Sequence, residues 1–183
     1  MKRFVATILL LLSACVFHPI VSRGQDDGAV VTISASANTP GMKGYGIVIH
    51  LTNVETGEEF ESKSLGIMSR NAIIEYIPAG RYRITFAEVY LGDRSWSNNS
   101  TELQDFFGEI RLEAGRIYYL GTYETTFEGY LRDRKIIFSF KDLFIPKKII
   151  SYLDKLGYPT DDIIIRSPIE DSFVFNKPTL RKK

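Results

Sequence analysis

The sequence predicts a mainly β protein: an antiparallel β-sandwich of about seven to eight strands, with one C-terminal amphipathic helix packed on it. Three observations carry this. Among 183 residues there are 12 Phe and 10 Tyr, side chains that pack well on a pleated, half-buried surface. Short apolar-alternating runs follow one another closely, divided by Gly, Pro and Asn turns. Near the C-terminus one segment changes its apolar period from two to that of a helix.

In chain order, Ala29–Ala35 alternates as a strand and is broken by Thr39-Pro40-Gly41. Tyr45–Thr52 is the next strand, ended by the turn Asn53–Gly57. Phe60–Leu65 and Ala72–Ile77 follow, and Pro78-Ala79-Gly80 turns the chain into Tyr82–Leu91. Gly92–Asp105 is polar and reads as the longest loop. Phe107–Leu112, Ile117–Tyr123 and Lys135–Phe140 complete the main set, and Asp162–Arg166 returns as a final strand. The helix is predicted over 146–156. Pro146 suits a first helical position, Ile149, Ile150, Leu153 and Leu156 share a face, and Gly157 and Pro159 stop it. Its apolar stripe is expected to bury against an edge or open end of the sandwich. Residues 29–166 thus form one domain, with 167–183 as a C-terminal tail.

The first residues read as an export signal, spanning 1–14. Lys2 and Arg3 form a positive start, and Phe4–Leu12 a short apolar stretch. Even extended to Phe17 the run is shorter than the ~20 residues of a spanning helix. Leu12-Ser13-Ala14-Cys15 resembles the bacterial lipobox, which implies lipidation of Cys15, residues 15–28 as a tether, and a membrane partner through the lipid. Two or more acyl chains suffice for stable anchoring. The alternative is ordinary cleavage after Ser22-Arg23-Gly24, which gives a soluble periplasmic or secreted protein. On either route the only cysteine is modified or removed, leaving no disulfide, thiol nucleophile or cysteine metal ligand.

Composition excludes several classes. Net charge is +1 and no basic stripe is present, so no nucleic-acid partner is expected. His50 is the one histidine past the tether, too few for a His-rich zinc site; it shares the more polar strand face with Val48 and Thr52. Gly41-x-x-Gly44-x-Gly46 leads into a strand rather than a helix, so it is a turn and not a dinucleotide fingerprint. No metal, cofactor or catalytic residue is assigned. Carboxylates are the remaining catalytic option: Glu55, Glu58, Glu59 and Glu61 crowd one turn, and Asp161-Asp162 and Glu170-Asp171 form pairs. Such acids are ordinarily a solvated rim. Trp96 in the polar loop, with Tyr119 and Tyr123 on one strand face, are the candidate contact residues.

One internal echo joins Ile77-Pro78-Ala79-Gly80-Arg81-Tyr82 to Leu112-Glu113-Ala114-Gly115-Arg116-Ile117-Tyr118. The first unit, continued to Ile84, is similar to the "PxGxY" turn-strand of transthyretin-like, carboxypeptidase-regulatory-type β-sandwiches. The second resembles the "aGktYyl" strand of bacterial envelope lipoproteins carrying such a domain. The resemblance covers roughly 29–123 and its motifs are structural. It implies a sandwich in an envelope protein and implies no activity. The expected function is a non-catalytic envelope lipoprotein that binds or scaffolds a protein or glycan partner. The alternative is a carboxylate-based hydrolase acting on envelope glycans.

Overall fold

In the computed structural model, which describes residues 28–37, 45–65, 70–91, 94–128, 135–169, 172–175 and 178–180, the alternating runs fold as strands. These are β1 (Ala29–Ala37), β2 (Tyr45–Asn53), β3 (Glu59–Glu61), β4 (Lys63–Ser64), β5 (Asn71–Ile77), β6 (Gly80–Leu91) and β7 (Arg94–Asn98). β8 (Glu109–Leu112), β9 (Ile117–Glu128), β10 (Lys135–Asp142), β11 (Ile163–Ile165), β12 (Ser172–Phe175) and β13 (Pro178–Leu180) follow. The helices are α1 (Thr101–Phe107) and α2 (Lys147–Lys155). The described chain is therefore mainly β, with two sheets and two helices. No helix among the described residues is long and apolar enough to cross a membrane. Cys15 and the whole targeting segment and tether up to residue 27 lie outside the described residues, as do Gly41 and Gly44.

The larger sheet runs β12-β10-β9-β1-β5-β4, with β11 also on β9; the smaller runs β13-β7-β6-β2-β3, with β8 also on β6. The expectation of a purely antiparallel arrangement is corrected here. β1 lies between β5, which it pairs antiparallel, and β9, which it pairs in parallel, Val31 opposite Tyr118. β11 is also parallel to β9. Central placement explains the sequence of β1, Ala-Val-Val-Thr-Ile-Ser-Ala-Ser-Ala, which is buried continuously from Ala29 to Ala35. A strand covered on both faces has no need to alternate.

The strand count exceeds the expected seven to eight. Phe60–Leu65 is split by Ser62, which changes sheets: its N–H donates to the Ile49 carbonyl (2.9 Å), and its Oγ accepts from the Ile49 N–H (2.8 Å). The presumed tail holds β12 and β13, which likewise join different sheets, antiparallel to β10 and β7. Both sides of the molecule are thus closed by very short strands that pass from one sheet to the other, a way of limiting exposed sheet edges.

Both sheets feed one core. Val31, Ile33, Ile74, Leu120, Tyr123 and Phe138 come from the larger, and Ile47, Ile49, Leu51, Tyr82, Ile84, Val89 and Trp96 from the smaller. The polar stretch read as a loop in fact carries β7 and α1. Leu103, Phe106 and Phe107 of α1 join this core, and Phe107 meets Tyr123 at 5.6 Å while Tyr123 stacks on Phe138 at 4.5 Å. The expected strand at Phe107 begins only at Glu109, after Gly108 has ended the helix with φ of 67°.

A second cluster lies on the other face of the larger sheet, where Ile149 and Leu153 of α2 bury with Val30, Ile73, Ile117 and Tyr119. The helix stripe therefore covers a sheet face rather than an edge or open end. Pro146 is the residue before the first turn, in extended conformation, and Gly157 follows the helix with φ of 77°. The repeated turn also gains a physical meaning. Tyr82 donates its hydroxyl hydrogen to the Pro78 carbonyl (2.9 Å), while the Tyr118 hydroxyl accepts from the Glu113 N–H (3.0 Å). In each copy the tyrosine of the strand ties back the turn that feeds it.

Candidate binding surface

The three aromatic candidates do not form a contact surface, since Trp96, Tyr119 and Tyr123 are each 0% exposed. Trp96 sits on β7 opposite Val89 and packs edge-on against Phe127, ring centroids 5.6 Å apart. Ser95, Ser97, Asn98 and Asn99 give the segment a loop-like composition, yet it pairs with β6 as a strand and Trp96 is buried in the core. Tyr119 lies under α2, its hydroxyl donating to the Phe144 carbonyl (3.0 Å). Tyr123 faces the main core and donates to the Leu120 carbonyl (2.7 Å). Burial raises both phenols above their ordinary value of 10.0.

The exposed chemistry lies instead on the outer side of the smaller sheet. β2 sends Ile47, Ile49 and Leu51 to the core and leaves Val48, His50 and Thr52 half-buried on the opposite face. His50 stands between Glu61 and Phe86, with Nε2 at 3.9 Å from Glu61 Oε2 and a ring-centroid distance of 4.6 Å to Phe86. A register shift between His50 and Leu51 gives β6 one extra residue, and Thr52 Oγ1 reaches Thr85 Oγ1 at 2.6 Å. Further along, Arg81 pairs with Glu55 (3.2 Å) and Glu109 (3.3 Å), and Arg83 pairs with Glu109 (3.6 Å). At the other end the Tyr90 ring lies across Gly46, where a Cβ would collide with the ring unless it moved.

At one corner this face runs into a depression of about 370 Å³ lined by Arg83, Gln104, Asp105, Gly108, Glu109 and Ile169. Three elements and a crossing segment build it. β6 supplies Arg83, α1 supplies Gln104 and Asp105, β8 supplies Glu109, and Ile169 comes from the chain after β11. The crossing segment is fixed by the Arg166 guanidinium donating to the Glu109 carbonyl oxygen and by the Ile169 N–H donating to the Phe106 carbonyl (2.8 Å). Ile169 nevertheless remains 71% exposed. The depression thus offers a guanidinium, an amide and two carboxylates beside one apolar side chain.

The acids singled out in the sequence do not converge. Glu55 belongs to the Arg81 pair, Glu61 lies beside His50, Asp162 pairs with Arg116, and Glu170-Asp171 lies outside the described residues. The carboxylates that do share a site, Asp105 and Glu109, are ones the sequence did not mark. Glu109 is held between two guanidinium groups, those of Arg81 and Arg83. Among the described residues no group of three or more His, Cys, Asp or Glu could hold a metal ion. Comparison with protein-family models, with characterised proteins and with solved structures finds no match.

Proposed function

We propose that this chain is a non-catalytic binding module of the bacterial cell envelope. In this reading it is a transthyretin-like sandwich held at a membrane through a lipid on Cys15, with no nucleic-acid partner. The observation that carries it is the asymmetry of the two sheets. α2 covers the outer face of the larger sheet, whereas the smaller sheet carries charged and aromatic side chains toward solvent and ends in the Arg83–Asp105–Glu109 depression. A depression of a few hundred Å³ with a few convergent polar groups is the ordinary form of a small binding site. Donors and acceptors beside an apolar Ile169 suit a glycan or a peptide side chain.

A second reading, a carboxylate-based hydrolase acting on envelope glycans, is favoured by one observation, the placing of Asp105 and Glu109 in the same depression. One experiment separates the two. Isolated cell-wall glycan is incubated with the wild-type chain, with an Arg83→Glu, Ile169→Asp variant, and with Asp105→Asn and Glu109→Gln. Co-sedimentation lost in the double variant, without release of soluble saccharide by any form, supports binding. Saccharide release abolished by Asp105→Asn or Glu109→Gln replaces binding by hydrolysis. Anchoring is tested separately by the intact mass of the protein from native membranes. Acyl mass on an N-terminal Cys15, absent from Cys15→Ala, supports it, and an unacylated chain beginning near Gln25 overturns it.

A further inference from the structure

We propose that the outer edge of β11 pairs with the same edge of a second copy of this chain, an interaction independent of the binding reading above. β11 is the strand Ile163-Ile164-Ile165 and lies parallel to β9. The Arg166 N–H donates to the Tyr119 carbonyl (2.9 Å) and continues that ladder. In a parallel pair, alternate residues of a strand direct both backbone groups to the same side. Asp162, Ile164 and Arg166 therefore face β9, and Ile163 and Ile165 turn their N–H and C=O groups outward. Among the described residues none bonds those outward groups. β12 and β13 close this side of the molecule along β10 and β7, and neither pairs with β11.

The edge is complementary to itself. Set antiparallel about a two-fold axis at Ile164, Ile163 meets Ile165 of the second copy and each N–H donates to the other's carbonyl; the axis repeats both bonds. The same register places Asp162 opposite Arg166 of the second copy, and opposite charges directly across strands attract. Moving the axis to Ile163 or Ile165 would set Asp162 or Arg166 against Ile164 instead. The Arg166 guanidinium is bonded to a neutral carbonyl, that of Glu109, and keeps further donors. The Asp162 carboxylate pairs with Arg116 and is 71% exposed. Ile165 alternates with the core-facing Ile164 and so lies on the α2 side, 47% exposed. Its register partner Tyr119 donates to the Phe144 carbonyl (3.0 Å), which puts Phe144, 70% exposed, on that same side. Pairing satisfies the outward amides and removes Ile165 of both copies from water. An edge this short makes a weak, transient dimer.

The test measures self-association of the full-length chain, in neutral detergent, by sedimentation and by cysteine cross-linking, with the wild-type chain as the control for Cys15. The pairing predicts a concentration-dependent dimer that weakens about tenfold or more in Ile165→Pro, which removes an outward N–H and no bond to β9. Asp162→Asn weakens it by a smaller factor, whereas Arg116→Gln, which removes the partner of Asp162 and leaves its charge, does not. Across the axis Ile164 and its copy form a non-hydrogen-bonded pair with Cα atoms about 4.5 Å apart, so Ile164→Cys cross-links with itself. Ile163→Cys lies on the diagonal from its own copy, about 7–8 Å away, and cross-links only when mixed with Ile165→Cys. That pattern decides the matter even if Ile165→Pro fails to fold. A chain monomeric at about 1 mM, or a dimer indifferent to an Ile165→Pro variant of unchanged thermal midpoint, overturns the pairing. So does cross-linking of Ile163→Cys with itself that equals that of Ile164→Cys, which would place the contact on another surface.

Discussion

The two sheets share a core, and their outer faces differ. In the larger sheet β1 is buried on both sides, with Val31 and Ile33 toward the smaller sheet and Val30 beneath Ile149 and Leu153 of α2. In the smaller sheet β2 is buried on one side only, and Val48, His50 and Thr52 share the other with Phe86, Arg81 and Arg83. Covering a face frees it from any need for polar residues and commits it to packing. Leaving it open requires alternation and makes the exposed half available for recognition. Stability should therefore respond sharply to changes in the common core and under α2, and weakly to changes on the open face.

The largest effect is expected in the core between the sheets. Trp96→Ala should cost ~3–5 kcal/mol, measured by urea unfolding, because an indole between β7 and Phe127 leaves a cavity that the strands cannot fill. Trp96→Phe should cost much less. The indole Nε1 is buried without a hydrogen-bond partner among the described residues, and phenylalanine removes that donor along with part of the ring. If both variants lose equal stability, the indole is not a purely packing residue. Next come the two outer faces, each probed with one apolar truncation. Leu153→Ala, under the helix, should cost ~2–4 kcal/mol. Phe86→Ala, on the open face beside His50, should cost about 1 kcal/mol or less. Equal losses would break the comparison.

A smaller effect tests the bond between the sheets. Tyr45 of β2 and Thr125 of β9 share a hydrogen bond within the core. Tyr45→Phe and Thr125→Val should each cost ~1–2 kcal/mol, and the double variant less than their sum, because each single change strands a buried polar partner. Burial raises the Tyr45 phenol, as it does that of Tyr123. Up to pH about 10 both folded and unfolded chains keep these protons. Above it the unfolded chain releases protons that the folded one retains, and stability should fall by about 1.4 kcal/mol per pH unit for each phenol. Tyr45→Phe should make that alkaline slope shallower by one such increment.

Much of this division was legible in the sequence. The alternation of β2 and β6 and the stripe of α2 are periodic signals over eight or more residues, and the structure holds them within a residue or two at their ends. Short elements were hidden. α1 has only seven residues, and its Leu103, Phe106, Phe107 pattern was masked by Asn and Ser before it. β7 carries a single apolar side chain, and β12 and β13 are strands by virtue of the edges they pair with. The parallel pairing of β1 with β9 is a property of topology that a local pattern does not encode. The depression was hidden for the same reason, since Arg83, Asp105, Glu109 and Ile169 meet only once the segment after β11 crosses α1.

At the end of β5, Tyr76 is the only described non-glycine residue with positive φ, at 62°, and it is exposed. The register shift between Ala29 and Val31 falls beside it, and Gly28, also at positive φ, approaches its backbone. An aromatic residue in the left-handed region is strained by ~1–3 kcal/mol. Tyr76→Gly should therefore raise the unfolding midpoint, by about 1 kcal/mol or less after its own loss of chain entropy, while Tyr76→Val should lower it. Opposite signs at one exposed site would show that backbone strain, and not the lost ring, sets the response.

The smallest stability effect belongs to the charged ladder. Arg81 joins Glu55 and Glu109 on the open face, and its side chain is exposed. Ion pairs in water add little to folding because solvent and salt screen them and two long side chains must be held in register. Arg81→Ala should leave the denaturation midpoint unchanged within error in 0.5 M salt, a condition with a Debye length well under 10 Å. Arg83 differs, because it also lines the depression. If Arg83→Ala likewise leaves stability unchanged but weakens glycan retention while Arg81→Ala does not, the ladder divides into a part that only solvates the sheet and a part that recognises a ligand. A marked loss of stability in either variant would mean that the open face packs as the covered one does, and the contrast between the two sheets would fail at its weakest point.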